Sequence, residues 1–511
     1  MIRRRVRSCF ASLAGLLIVL AAALPAAATS GSNDLEQVPA LAGLSDRWQG
    51  AMTELGVPGL AVAILRPGEP PIIATFGIRD ARDNKPVTAE TMFYIASVTK
   101  TYLAALLAGL AEDGRVDLDA PVRRYLPQLR LPDEALAASL TVRDLLCHRH
   151  GINRSEIVWL DAFTGQITDA DFFRLLAGAE IAGEVAYTNV HFTLAGRVVE
   201  AVTGQPWQEA LQERILAPAG LGRTTASASR LYADPDHAEP MVSLAGNWLS
   251  LPLRKTDRTM HAAGGLGTSI LDAARWLELF LADGSLDGRQ LLTPATVADM
   301  LAAHVSFAEP RGRLRIDQGF GLGWQRGTYR TGGPRQFRHG GGYEGAAAEF
   351  TFLPERGIGV AVLANAGGPG NGLVAMVQVD VLDRLLAVEE PTDLLPSYSR
   401  SAAKQREQVA FALPNGPVPA AGLGLSLDPQ HYVGLYRHPD QGVAEIMLED
   451  GNLRGRIGDL PLTLHAAAVD SFSVSIVPGM LSRGRFEIEG GRVQGLWLQA
   501  DGDELTRFVR Q

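Results

Sequence analysis

The sequence predicts an α+β protein: a mixed β-sheet flanked by helices and assembled from distant segments, followed by a small antiparallel β-barrel. Three patterns carry this expectation. Paired apolar β-forming runs lie near both ends of the first 390 residues, helical periodicity fills the chain between and after them, and short strand-like runs recur beyond residue 430. With 511 residues, 46% of them apolar and 20% charged, the chain can bury a large core, which excludes intrinsic disorder.

Residues 1–28 read as a secretory signal, with a basic Arg3-Arg4-Arg5-Val6-Arg7, an apolar Leu13–Leu24 and the small residues Ala26-Ala27-Ala28. The expectation is a periplasmic or secreted protein with no stable membrane anchor after cleavage. Losing that segment would remove Cys9, leave Cys147 as the single cysteine and change the formal charge from −9 to −13. An acidic chain of this size has no electrostatic footprint for nucleic acid.

A helix is expected around Leu41–Leu55. A hairpin follows, with strands Gly59–Leu65 and Ile72–Gly77 split by Arg66-Pro67-Gly68-Glu69-Pro70-Pro71. Leu103, Leu106, Leu107 and Leu110 predict a helix over Ser97–Asp113. Thr141-Val142-Arg143-Asp144 fits a capping box for a helix stopping near Gly151. A second hairpin, Phe350–Phe352 with Ile358–Leu363, precedes a helix from about Leu373 to Val388. Residues 391–425, rich in Pro, Ser, Ala and Gly, suit a linker. Six strand-like runs then follow: Tyr432–Tyr436, Ala444–Leu448, Leu453–Ile457, Ser471–Ile476, Arg485–Ile488 and Val493–Leu498.

Lysine usage points to the chemistry. The chain holds only Lys85, Lys100, Lys255 and Lys404 against 43 arginines. Lys100 lies three residues after Ser97, on the same face where a helix begins, so its amine can reach the hydroxyl. Serine needs a neighbouring base to become a nucleophile; a buried lysine can supply one, whereas arginine stays charged. Tyr187 and Asn189, two apart on an extended segment, can point the same way, with Tyr187 as a proton carrier and Asn189 as donor and acceptor. In Arg338-His339-Gly340-Gly341-Gly342-Tyr343, consecutive glycines permit close approach of a substrate to backbone N–H groups. His148 and His150 lack the acidic or cysteine neighbours of a metal set and read as structural, while Cys147 reads as a buried core residue.

These three motifs, in this order, resemble the penicillin-recognising serine hydrolases, and within them the class C β-lactamase-like family with its esterase, D-aminopeptidase and D,D-peptidase members. Supporting stretches include Pro58-Gly59-Leu60-Ala61-Val62-Ala63, Ala263-Gly264-Gly265-Leu266-Gly267-Thr268 and Leu363-Ala364-Asn365. The resemblance implies a β-lactamase/transpeptidase-like domain over 41–390 with a helical lobe, and a lipocalin-like barrel over 426–511. It implies Ser97 as nucleophile, Lys100 as its base partner, Tyr187 as proton shuttle and Asn189 as substrate-orienting residue. His339 then stands where relatives carry the lysine of Lys-Thr-Gly, and Gly340 where they carry threonine. Ser97 and Gly342 would supply the oxyanion-binding N–H groups, with Gly340 and Gly341 beside them. That departure from Lys-Thr-Gly favours esters, or peptides with a free D-residue amino terminus, over penicillins. The expected partner is a small ester, amide or short peptide, with no cofactor and no metal. The alternatives are a penicillin-binding D,D-peptidase or β-lactamase, and a non-catalytic binding protein on the same fold. The oligomeric state is not encoded in any of these motifs.

Overall fold

The computed structural model describes residues 33–244, 247–251, 253–412, 424–475, 481–499 and 504–511. The expected signal at 1–28 lies outside them. The main sheet has eight strands: β1 (Gly59–Arg66), β2 (Glu69–Gly77), β3 (Val305–Arg311), β4 (Arg315–Phe320), β5 (Gln325–Tyr329), β6 (Arg335–Tyr343), β7 (Ala346–Leu353) and β8 (Ile358–Ala364). Their spatial order is β3-β4-β5-β6-β7-β8-β1-β2. The sheet is therefore assembled from distant segments as expected, with Leu60 opposite Ala364. Its strand directions correct the expectation of a mixed sheet. Every pairing is antiparallel, because hairpins supply all neighbours except β1–β8, and that pair also runs antiparallel.

The central strands are apolar throughout because both faces are covered. Ala61, Ala63, Phe350, Phe352 and Leu363 face one core, while Leu60, Val62, Ile64, Val360 and Val362 face the other. The first face packs against the helical lobe that residues 78–304 build, which contains only strands of two to four residues. Helix α1 (Leu44–Leu55) packs on the second face through Trp48 and Leu55.

Helix α2 (Thr99–Glu112) is buried from Thr99 through Ala108, as befits a helix apolar on nearly every side. The Tyr102 ring stacks on Trp276 at 3.9 Å, and the Trp276 indole N–H donates to Thr101 Oγ1 at 3.0 Å. The capping box forms as read: Thr141 Oγ1 accepts from Asp144 N–H at 3.1 Å, and Asp144 returns the bond to Thr141 N–H at 3.0 Å. That helix, α3 (Val142–Leu146), ends well before Gly151. His148 and His150 at φ +60° and +65° turn the chain instead, toward the segment that carries Tyr187.

Helix α4 (Asn189–Thr203) belongs to the lobe, α5 (Ile270–Leu281) covers the lobe face of β1 and β8, and α6 (Pro369–Leu385) covers the opposite face. The stretch expected to be a linker contains a further helix, α7 (Leu395–Ala412), lying against α1 and α6 with Ala402 buried. Its Ala, Gln, Lys and Arg residues are good helix formers, which a Pro- and Ser-based reading of the segment masks.

The C-terminal region is a closed barrel of eight strands: β9 (Gly434–His438), β10 (Gly442–Glu449), β11 (Asn452–Ile457), β12 (Leu460–Ala468), β13 (Ser471–Ser475), β14 (Leu481–Glu489), β15 (Arg492–Gln499) and β16 (Leu505–Arg510). Two strands exceed the six expected from sequence. β12 is broken in pattern by Pro461, and β16 buries only Phe508, so neither shows a clean alternation. Pairing of β9 with β16 removes both free edges.

The barrel is fixed to the lobe by backbone as well as side chains. Asp459 N–H donates to Thr164 O at 2.9 Å, and Val443 exchanges two bonds with the Gln166 amide at 2.7 and 3.0 Å. Asp459 also accepts from Thr256 and Arg258. Replacing Trp276 with Ala removes the ring that locks α2 beneath the sheet. The expected outcome is a loss of about 3–5 kcal/mol in unfolding free energy, read from the urea midpoint at unchanged slope.

Candidate active site

The sequence-selected residues converge between the first turn of α2, the N-terminus of α4 and strand β6. Ser97 sits in the 3-10 turn Ala96–Val98 that leads into α2. Ala96 before it has φ +45°, in the left-handed region that a residue with a Cβ adopts at a cost, and is held there by its neighbours. Thr99 Oγ1 donates to Ala96 O at 2.7 Å and accepts from Leu266 N–H at 3.1 Å, tying the turn to the 263–268 segment.

Lys100 is fully buried, and its Nζ touches three oxygens: Ser97 Oγ at 3.0 Å, Asn189 Oδ1 at 2.8 Å and Ala263 O at 2.6 Å. Desolvation holds its pKa well below the usual lysine value. A neutral amine has two N–H groups and one lone pair. The amide and peptide carbonyls can only accept, so they take the two donors, and the lone pair is left facing the serine hydroxyl. The arrangement thus fits proton transfer from Ser97 to Lys100.

Asn189 is the first residue of α4 rather than part of an extended segment, because Thr188 caps that helix by accepting from Val190 N–H at 3.2 Å. Tyr187 lies just outside the cap. Its ring is 43% exposed, but its hydroxyl turns inward to Ser97 and to His339 Nε2, the latter at 3.5 Å. Desolvation there raises the phenol above its ordinary value, so Tyr187 keeps its proton. His148 supports it from behind, with ring centroids 4.4 Å apart and His148 Nδ1 accepting from Thr188 N–H at 3.3 Å. The structural role expected of His148 thus includes packing against Tyr187.

His339 is buried, with Nδ1 2.6 Å from the Gly323 carbonyl. A carbonyl only accepts, so Nδ1 carries the proton and Nε2 receives the Tyr187 hydroxyl. Burial, with Lys100 nearby as the second cause, pushes His339 down to about 3. Gly323 has φ +75°, and a Cβ there would meet the Lys100 carbonyl at 2.9 Å. The sequence pattern marks the Ala263–Thr268 stretch without giving the Ala263 carbonyl a role, and leaves Gly323 unmarked although 319–323 is rich in glycine.

Strand β6 pairs with β5 only as far as Arg338, so residues 339–343 show no strand partner on that side among the described residues. This open edge faces the nucleophile. A Cβ at Gly341 would lie 2.0 Å from the Ile95 carbonyl oxygen and 3.2 Å from Ser97 N. Gly342 is exposed at the edge, while Gly340 and Gly342 turn their Cα hydrogens to the opposite face, toward Glu349 and Asn371. Cys147 is buried, and its thiol is pushed up to about 11, consistent with an inert core position.

The Beta-lactamase family model matches residues 44–383. The unguisins hydrolase of Aspergillus violaceofuscus is 27% identical across 78% of this chain and 75% of its own length. Penicillin-binding protein 4 of Amycolatopsis lactamdurans is 27% identical across 69% of this chain and 92% of its own. The octameric penicillin-binding protein homologue from Pyrococcus abyssi has a similar fold, with TM-score 0.60 and 21% identity, covering 91% of this chain and 99% of that one.

Two outcomes are expected. Gly341→Ala forces β6 away from the Ser97 turn and lowers esterase kcat/KM by roughly 10²-fold at unchanged far-UV circular dichroism. Lys100 binds its proton less tightly folded than unfolded. Stability therefore falls as pH drops from the free-lysine value of ~10.4 toward the depressed one, and Lys100→Met flattens that part of the Tm-against-pH curve.

Proposed function

The chain belongs to the beta-lactamase family of serine hydrolases, and on that premise we propose that it cleaves an ester or amide bond through an acyl-enzyme on Ser97. The observation that carries this reading is the Lys100 amine, stripped of water and aimed at Ser97 Oγ. Lys100 takes the serine proton as Oγ attacks the scissile carbonyl. The oxyanion forms against the backbone N–H groups of Ser97 and Gly342. Tyr187 passes its proton to the leaving group as the bond to it breaks, which leaves a phenolate near the protonated Lys100 until deacylation. Water then attacks the acyl-enzyme, the phenolate takes the proton of water and Lys100 returns the serine proton to Oγ. Asn189 holds both the amine and the substrate.

The neutral His339 bears on substrate class. A penicillin or a D-Ala-D-Ala end carries a carboxylate, and this position offers it no positive charge. Neutral esters and peptides with a D-residue amino terminus fit better. The basic and apolar start of the chain supports export, with the reaction taking place in the periplasm or outside the cell.

The test is intact-mass spectrometry after brief exposure to p-nitrophenyl butyrate. A butyryl adduct and nitrophenol release are expected in the wild type, with turnover lowered at least ~10³-fold in Ser97→Ala. Absence of any adduct in the wild type would sink the esterase reading. Benzylpenicillin acylating as fast as the butyrate ester would instead favour a penicillin-binding enzyme. Tyr187→Phe lowers kcat by about 10²–10⁴-fold. Wild-type kcat/KM falls as acid protonates Lys100, since only the neutral amine accepts the serine proton.

A further inference from the structure

The two ends of the barrel are built differently. One is solid: the Phe486 ring lies 4.8 Å from Tyr432, 5.1 Å from Phe472 and 6.2 Å from Tyr436. The other is hollow, with a cavity of about 440 Å³. Its apolar barrel lining is Ile457, Leu462, Val474, Leu498 and Phe508, with Gln441, Ser482, Arg483 and Gln499 also lining it, and the lobe covers it with Trp159 and Phe163. The Trp159 indole N–H donates to Gln441 O at 3.2 Å, which holds the ring across the mouth. An eight-stranded barrel either fills with side chains or retains room for one small ligand, and this one does each at a different end. The five apolar residues form a continuous patch for an aliphatic chain, and the polar groups, with Asn153, Ser155 and Glu156 from the lobe, make up the rest of the lining.

One aromatic ring separates the cavity from the catalytic strand: Phe163 lines the cavity and packs against Tyr343 at the end of that strand. An acyl group lying along the open edge 339–343 is blocked at its His339 end, where the buried imidazole is fixed to Gly323. Tyr187, the proton donor to the leaving group, stands at that same end. The acyl arm therefore runs the opposite way and leaves the edge at Tyr343. The Tyr343 ring lies 5.5 Å from Phe163, which lies 5.9 Å from Trp159. Lys255, buried and donating to Ala162 O at 2.5 Å, places its Nζ 4.0 Å from the Tyr343 ring centroid and packs against that ring.

We propose that the hollow end of the barrel binds the aliphatic acyl arm of the substrate, reached from Ser97 along Tyr343 and Phe163. This rests on the hydrolase reading above and gives it a substrate class: esters or amides of long-chain acyl groups.

The experiment pairs catalysis with binding. p-Nitrophenyl acetate, octanoate and dodecanoate are hydrolysed by the wild type and by Val474→Trp, which places an indole in the cavity remote from Ser97. The wild type is expected to favour octanoate over acetate by roughly 10-fold or more in kcat/KM. Val474→Trp keeps acetate turnover and loses that preference. An undiminished chain-length preference in Val474→Trp would overturn the proposal. In parallel, 11-(dansylamino)undecanoate is titrated by fluorescence into Ser97→Ala and into Ser97→Ala with Val474→Trp. Binding by the first and not the second supports the site even where no ester is cleaved, and in that case the catalytic reading alone fails. Equal binding by both overturns the site. Leu498→Trp, filling the same space from a different strand, replaces Val474→Trp where circular dichroism shows that variant unfolded.

Discussion

Burial of one amine organises this molecule. Lys100 sits on a helix with no solvated face, and an ammonium there would carry a desolvation penalty of several kcal/mol. Desolvation lowers the amine's affinity for its proton, and the structure surrounds the amine with three oxygen partners. Those partners come from three separate parts of the chain: the turn before α2, the cap of α4 and the glycine-rich segment at 263. The lobe must pack correctly for all three to meet. The stack of Tyr102 on Trp276 and the Thr99 bridge to Leu266 are the means.

The same desolvated environment reaches His339 and His148, both held neutral, so the pocket around Ser97 contains several titratable groups and little charge. In such surroundings proton positions are decided by which neighbours can only accept. The Gly323 carbonyl sets the His339 tautomer, and that tautomer sets the direction of the Tyr187 hydroxyl. Two backbone carbonyls, at 263 and 323, thus orient the proton chemistry of the site.

The sequence made side-chain identity legible and backbone geometry largely not. Ser97 and Lys100 stood out because a rare lysine lay one helical turn from a serine, and α2 formed where leucine spacing placed it. Asn189 was recognised as a residue but not as the start of a helix, since the cap at Thr188 competes with an extended reading of Tyr187-Thr188-Asn189. His148 looked structural because it has no metal-binding neighbours in sequence. Its contact with Tyr187 spans 39 positions and arises only from the turn that two positive-φ histidines make. In the barrel, strands with clean alternation were legible. β12 and β16 were not, one containing a proline and the other burying only Phe508 of its six residues. Strand direction in the main sheet was likewise invisible to local pattern, because β1 and β8 are apolar on both faces whichever way they run.

The pairing of β1 with β8 also shapes how the chain must be made. The first hairpin is complete at Gly77, but its partner strand begins at Ile358. At ribosomal speeds of ~5–20 residues per second, those intervening residues take roughly 15–60 s to appear. Throughout that interval the apolar strand Gly59–Arg66 has one unpaired edge, the kind of edge that associates with other chains. A nascent chain of this topology depends on being kept from collapse until its second hairpin arrives.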